Sequence, residues 1–315
     1  MANSTITTTT ESTLKTLAPR KYTDSELKNF VNSADFVALD YYHTMASSFL
    51  GSPNKQECEG CLSLGVELES DNFGYDGTNR PEYVAGGIKA YLGNDMDTKH
   101  DGSLNHGMEI ASQPATLDYH MTKYMWRDTL KLLSMYSESH DAGSCGLHVH
   151  VNRKALGHTD DARDLVVAKL LYLVEKWFVA GGALGKFSRR DMTDYDQMYW
   201  CKKNNLGLKS TDSRKVLDEK MKAYKNSDEA FDRYNAINLT NAHTIEFRMF
   251  RGTHNPETFA ATLQLVDCMV RYCKTHTLTE VQNCRFGDIV ATCKYAELAA
   301  YCNRRGICLR QTRNA

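Results

Sequence analysis

The sequence has almost no net charge: 38 Lys and Arg stand against 39 Asp and Glu, a formal balance of -1. So balanced a chain has no overall field with which to gather a polyanion, which argues against nucleic acid or an anionic membrane surface as a partner. It also lacks an apolar run of bilayer-spanning length. The opening MANSTITTTTESTLK has neither the basic start nor the apolar core of a secretory signal. These absences lead to an expectation of cytoplasmic residence.

No disulfide framework is expected, because 10 Cys scattered through a chain kept in a reducing compartment behave as small apolar thiols. Cys58 and Cys61 are the one close pair, and their Cys-x-x-Cys spacing suits half of a zinc site or a redox couple. A second pair at matching spacing is missing. Cys302 or Cys308 are conceivable partners for a structural zinc, and the competing reading is reduced thiols entering a strand. No internal repeat is present. AGGALGKFS echoes a phosphate-binding loop but fails as one: Ala180 stands five before Gly185, Phe187 follows Lys186 where Ser or Thr is needed, and a helix precedes it instead of a strand.

What is present is ordinary globular composition, 42% apolar and 24% charged, in 315 residues. That length suits one large mixed domain with appended termini. Residues 1–20 are Thr- and Ser-rich with little to bury, so they read as a flexible arm. Residues 21–57 read as an N-terminal helical segment: Thr23 and Glu26 spell a capping box, and Leu27, Phe30 and Val31 share one helical face. The segment 58–278 reads as the main domain, and 279–315 as a helical extension with a basic tail.

Within the main domain, LSLGVELES, GMEIASQ, CGLHVHVN, YNAINLT and TIEFRMF have the length and period of strands. Helices are expected over Asp118 to Glu138, Asp160 to Ala180 and Pro256 to Thr275, the last capped by Asn255. The class is α+β with a mainly antiparallel sheet.

Period-two alternation sets the chemistry-bearing residues on faces. It puts Glu67 and Glu69 opposite Val66 and Leu68, and His148 and His150 opposite Leu147, Val149 and Val151. It likewise puts Thr244, Glu246 and Arg248 opposite Ile245, Phe247 and Met249, with Arg251 at the strand end. Asp101 and Gly102 form a turn before a strand whose Glu109 is flanked by apolar Met108 and Ile110. Singly, these read as exposed carboxylates, structural histidines and a cross-strand ion pair. Together they describe an oxygen-rich trough suited to hard divalent cations and the phosphates those cations bind.

The ordered set of Gly65 to Glu69 (Gly-x-Glu-x-Glu), Asp101 to Glu109 (Asp-Gly-Ser-Leu with a following Glu), Gly146 to His148 (Gly-x-His) and Thr244 to Arg248 (Thr-Ile-Glu-Phe-Arg) resembles the amidoligases of the glutamine synthetase/glutamate-cysteine ligase superfamily, of the phage and bacterial type. The match runs from about residue 61 to 275, and its specificity lies in order and combination. The resemblance implies a curved, mainly antiparallel sheet whose concave face binds ATP with Mg²⁺, Mn²⁺ being an acceptable substitute, and whose convex face is covered by helices. By position, Glu67, His148 and Glu246 would hold one metal on the phosphates. Glu69 and Glu109, with Asp101, would hold another nearer the acceptor carboxylate. Arg248 and Arg251 would stabilise the transferring phosphoryl group, and His150 shares their face as a further catalytic candidate. Arg189, Arg190 and Tyr199, in the basic and aromatic stretch KFSRRDMTDYDQMYWCKK, would contact nucleotide or substrate.

The implied reaction joins a small-molecule or peptide carboxylate to an amine through an acyl phosphate, in the host cytoplasm if the chain is phage-encoded. Substrate identity and oligomeric state are not written in these motifs. The rival readings are a guanidino-type phosphotransferase on the same sheet, a metal-dependent hydrolase using the same carboxylates and histidines, and a non-catalytic phage binding protein.

Overall fold

The computed structural model describes residues 16–39, 61–74, 80–92 and 96–309; Cys58 and residues 40–57 of the N-terminal segment lie outside them. Strands β1 (Leu64–Ser70), β2 (Met96–Lys99), β3 (Met108–Ser112), β4 (Gly146–Asn152), β5 (Ile237–Asn238) and β6 (Thr244–Arg251) form an open sheet. Its order is β2-β3-β1-β4-β6-β5, and every neighbouring pair is antiparallel. The helices in chain order are α1 (Asp24–Asn32), α2 (Pro81–Leu92), α3 (Leu117–Thr122), α4 (Trp126–Tyr136), α5 (Asp160–Trp177), α6 (Ala183–Ser188), α7 (Tyr195–Tyr199), α8 (Arg214–Lys225), α9 (Pro256–Thr275), α10 (Leu278–Asn283), α11 (Phe286–Val290) and α12 (Ala296–Arg304). The expected α+β class is the observed one. No described helix is long and apolar enough to cross a membrane.

One face of the sheet is apolar because alternate residues of its strands are. Leu64, Val66, Leu68, Ile110, Leu147, Val149, Val151, Ile245 and Phe247 are all buried, in one hydrophobic cluster with the inner sides of α5 and α9. Helix α9 starts where Asn255 caps it, the side-chain oxygen accepting from the N–H groups of Glu257 and Thr258, with Pro256 following. The capping box at Thr23 and Glu26 is formed, and Leu27 and Val31 are buried. Leu17, within the segment read as an arm, is buried too, and the Ala18 N–H donates to the Met121 carbonyl.

Three local expectations are corrected. The helix expected over Asp118 to Glu138 is broken into α3 and α4. At the break the Tyr124 hydroxyl donates to the Gln113 carbonyl, and the Trp126 indole N–H donates to Nδ1 of His120. YNAINLT pairs with β6 only over Ile237–Asn238; the Asn204 side chain bonds the N–H and carbonyl of Ile237, and the Lys202 backbone bonds Tyr234 and Ala236. The alternation of β6 is interrupted: Val149 faces Phe247, but Leu147, two residues back, faces Phe250, three residues on. This extra residue is a β-bulge, and it returns Phe250 to the apolar side.

His120 is fully buried between Tyr124 and Trp126, with Nε2 2.8 Å from the Leu64 carbonyl. Because Nδ1 accepts from Trp126, Nε2 carries the proton and the ring is neutral. Burial pushes its pKa down from 6.5 to about 4. The unfolded chain therefore takes up this proton first as pH falls, so the neutral ring's contribution is complete above about pH 6.5 and is lost on the way to pH 4. Urea midpoints measured from pH 7.5 to 4.5 should fall, and His120→Gln should remove about 2–3 kcal/mol of that fall; equal slopes in both proteins would contradict the assignment.

Candidate functional site

The opposite face of the sheet carries the charges, and strand register brings them together. Across β2, β3 and β1 runs a row of Lys99, Glu109 and Glu69, each directly facing the next. In the next row Glu67 faces His148, and beyond it His150 faces Glu246, which faces Asn238. Glu69 and Glu109 are both buried. Two buried carboxylates facing each other across a ladder destabilise a sheet unless a cation or a proton lies between them.

Two groups result, in each of which the potential ligand atoms lie within 4.8 Å of one another: Glu67, His148 and Glu246, and Glu69, Asp101 and Glu109. In the first, Nδ1 of His148 is 3.5 Å from Oε2 of Glu67 and 3.5 Å from Oε1 of Glu246, and Nε2 of His150 is 3.5 Å from Glu67 Oε2. Arg248 Nη1 donates to Glu246 Oε1 at 2.6 Å, and Asn238 Nδ2 donates to Glu246 Oε2 at 2.8 Å. In the second, the Gly146 N–H donates to Glu69 Oε2, while Lys99 Nζ is 2.6 Å from Glu109 Oε1. Asp101 accepts from the N–H and hydroxyl of Ser103 in the expected turn, which the Leu104 N–H closes on the Asp101 carbonyl.

Burial and neighbouring charges shift the carboxyls of the two groups differently. Burial opposes ionisation of Glu67, but His150, His148 and Lys99 outweigh it and hold the carboxyl well below its usual range. Glu246 is likewise lowered, against its burial, by His150, His148 and Arg248. The His150 ring is pushed up by Glu67 in spite of burial. In the other group burial raises Glu69, and burial together with the charge of Glu67 raises Glu109 well above its usual range. Asp101 stays low because the Ser103 bonds exceed the effect of burial.

Both groups fit a divalent cation. Nδ1 of His148 is buried without a hydrogen-bond partner, between two carboxylates beyond bonding distance. Glu69, Asp101 and Glu109 present only oxygen, the donor set that magnesium and manganese favour over softer ions. Among the described residues no cysteine belongs to such a group. Cys302 is buried and Cys308 exposed.

Beside these groups lies a cavity of about 350 Å³, lined among others by Glu69, His148, Ser144, Arg190, Gln197, Trp200, Arg248 and Arg251. The bulge in β6 explains why Arg248 and Arg251, an odd number of residues apart, both reach it. Arg190 lines it as well, but its guanidinium donates to the carbonyls of Met249, Arg248 and Gln197, tying α7 to β6. Arg189 is not on this wall; it donates to the carbonyls of Arg251 and Gly252. Tyr199 is half exposed, in edge-on contact with Trp200 and 5.9 Å from Tyr234. A larger cavity of about 850 Å³, lined by residues such as Cys61, Arg271, Lys274 and Tyr295, contains none of the candidate carboxylates, histidines or arginines.

Lys99 and Asp71 escaped sequence reasoning. Asp71 is buried at the end of β1 and accepts from the Asn105 and His106 N–H groups and the Ser144 hydroxyl, fastening the Asp101 loop and the approach to β4 beside the site. It continues the odd-numbered face of Glu67 and Glu69, so alternation carried a signal for it. Gly146 is needed by a close approach: a Cβ there would lie 2.6 Å from His148 Nε2 and 3.2 Å from Glu69 Oε2.

A family model described as "putative amidoligase enzyme" matches residues 62–270. No curated protein and no solved structure matches the chain.

Proposed function

The chain belongs to this amidoligase family, and from that premise we propose that it is an ATP- and Mg²⁺-dependent ligase that joins a carboxylate to an amine through an acyl phosphate. The observation that carries the reading is the buried cross-strand pair of Glu69 and Glu109, with Asp101 alongside and a cavity lined by Arg190, Arg248 and Arg251 next to it. The single charged face of an antiparallel sheet supports an architecture of the glutamine synthetase/glutamate-cysteine ligase type.

Glu67, His148 and Glu246 would hold one ion, and Glu69, Asp101 and Glu109 another. Bound there, the ions would neutralise the triphosphate and the charge developing on the transferred phosphoryl group. Arg248, fixed by Glu246, and Arg251 face the cavity and stabilise the same charge. A carboxylate oxygen attacks the γ-phosphorus and ADP leaves; the amine nitrogen then attacks the acyl carbon, loses a proton, and inorganic phosphate leaves. The protein's part is to orient both partners and shield the acyl phosphate from water, so no side-chain nucleophile is required.

The test is to incubate the protein with ATP, Mg²⁺ and pooled amines and carboxylates and analyse the products by mass spectrometry. The expected product is an amide lighter than its two precursors by one water, with one ADP and one phosphate per bond. Phosphate retained on an acceptor would identify a phosphotransferase, and bond cleavage without ATP a hydrolase.

A further inference from the structure

Lys99 ends β2 and faces Glu109 in the register. Its Nζ is 2.6 Å from Oε1 of Glu109 and 3.5 Å from Oε1 of Glu67. These two carboxylates belong to different groups, Glu67 to the one with His148 and Glu246, and Glu109 to the one with Glu69 and Asp101. The ammonium therefore stands at the seam between the two candidate ion positions, touching one ligand of each. Glu67 divides its oxygens accordingly, Oε1 toward Lys99 and Oε2 toward His148 and His150.

We infer that Lys99 is a protein-supplied cation occupying the seam between the two groups, so that the site takes two divalent ions and not a third. Glu67 and Glu109 meet at this seam, with Glu69 facing Glu109 across the ladder, and carboxylates so close do not stay ionised together without a positive charge among them. An ammonium suits the place because it is a compact point charge with three rotatable donors, able to sit where an ion would. The guanidinium of Arg248 is committed to Oε1 of Glu246, and among the described residues it forms no ion pair with Glu67 or Glu109. Lys99 is thus a positioning residue that orients Glu67 and Glu109. The inference rests on the divalent-ion part of the proposed function.

The test counts bound ions directly. The full-length protein is titrated with Mn²⁺ alone, without nucleotide, and free Mn²⁺ is followed by electron paramagnetic resonance. Wild type should take up two equivalents. Lys99→Met and Lys99→Gln, which leave the seam carboxylates uncompensated, should take up three, and Lys99→Arg should return to two. Three equivalents in wild type, or two in a folded Lys99→Met or Lys99→Gln protein, would overturn the inference while leaving the ion sites standing. A wild type that binds no Mn²⁺ would overturn the inference and the divalent-ion part of the proposed function together. The wild-type count decides even if the neutral variants fail to fold.

Discussion

Replacing Glu67 by Gln is expected to lower amide-forming turnover by about 10²–10³-fold, the cost of losing one ligand that concentrates positive charge on the phosphates. The substitution keeps shape and volume but removes the charge that His150, His148 and Lys99 all face. Bound Mn²⁺ should fall by one equivalent, because His148 and Glu246 alone leave the first group short of a ligand. Far-ultraviolet circular dichroism should be unchanged, since the apolar face of β1 is untouched. Full turnover in Glu67→Gln would remove this residue from the ion site.

Arg248→Lys should be almost as damaging as Arg248→Ala, with kcat lowered about 10³-fold in both, in the range seen when an arginine that stabilises a transferring phosphoryl group is lost. The reason is geometric. Nη1 of Arg248 donates to Glu246, and the same residue lines the cavity, so one planar group serves carboxylate and cavity together. A lysine offers one point charge and cannot reproduce both ends of that fork. Because the interaction grows with charge in the transition state, KM for ATP should change far less than kcat. Steady-state kinetics separate the two, and a lysine variant with near-normal kcat would show that charge alone is sufficient.

Much of this site was legible from local pattern. Glu67 with Glu69 and His148 with His150 follow from period-two alternation, and the antiparallel register then places Glu67 against His148 without further assumption. The family match over residues 62–270 encloses the four short motifs and falls within the expected span of about 61 to 275. What escaped depended on partners distant in sequence. Lys99 lies on a four-residue strand too short to show a period, and only pairing with β3 discloses its role. Arg251 was a candidate by resemblance, but the bulge through which it reaches the cavity leaves no mark in alternation. Arg189 and Arg190 are sequence neighbours, yet one anchors the end of β6 and the other lines the cavity; α6 ends at Arg189 with a positive φ of 62°, which turns the two side chains apart. The break between α3 and α4 reflects hydrogen bonds of Tyr124 and Trp126 to partners outside the helical repeat.

The central claim is that side chains from four strands and the Asp101 turn grip two divalent ions beneath a nucleoside triphosphate. Crystals grown with Mn²⁺ and a non-hydrolysable ATP analogue, measured for manganese anomalous scattering, test it without a known substrate. The account predicts two anomalous peaks, one at coordination distance from Glu67, His148 and Glu246 and one from Glu69, Asp101 and Glu109, with phosphate oxygens on at least the first. A nucleotide bound elsewhere, or carboxylates that carry no manganese while the nucleotide is in place, would contradict it.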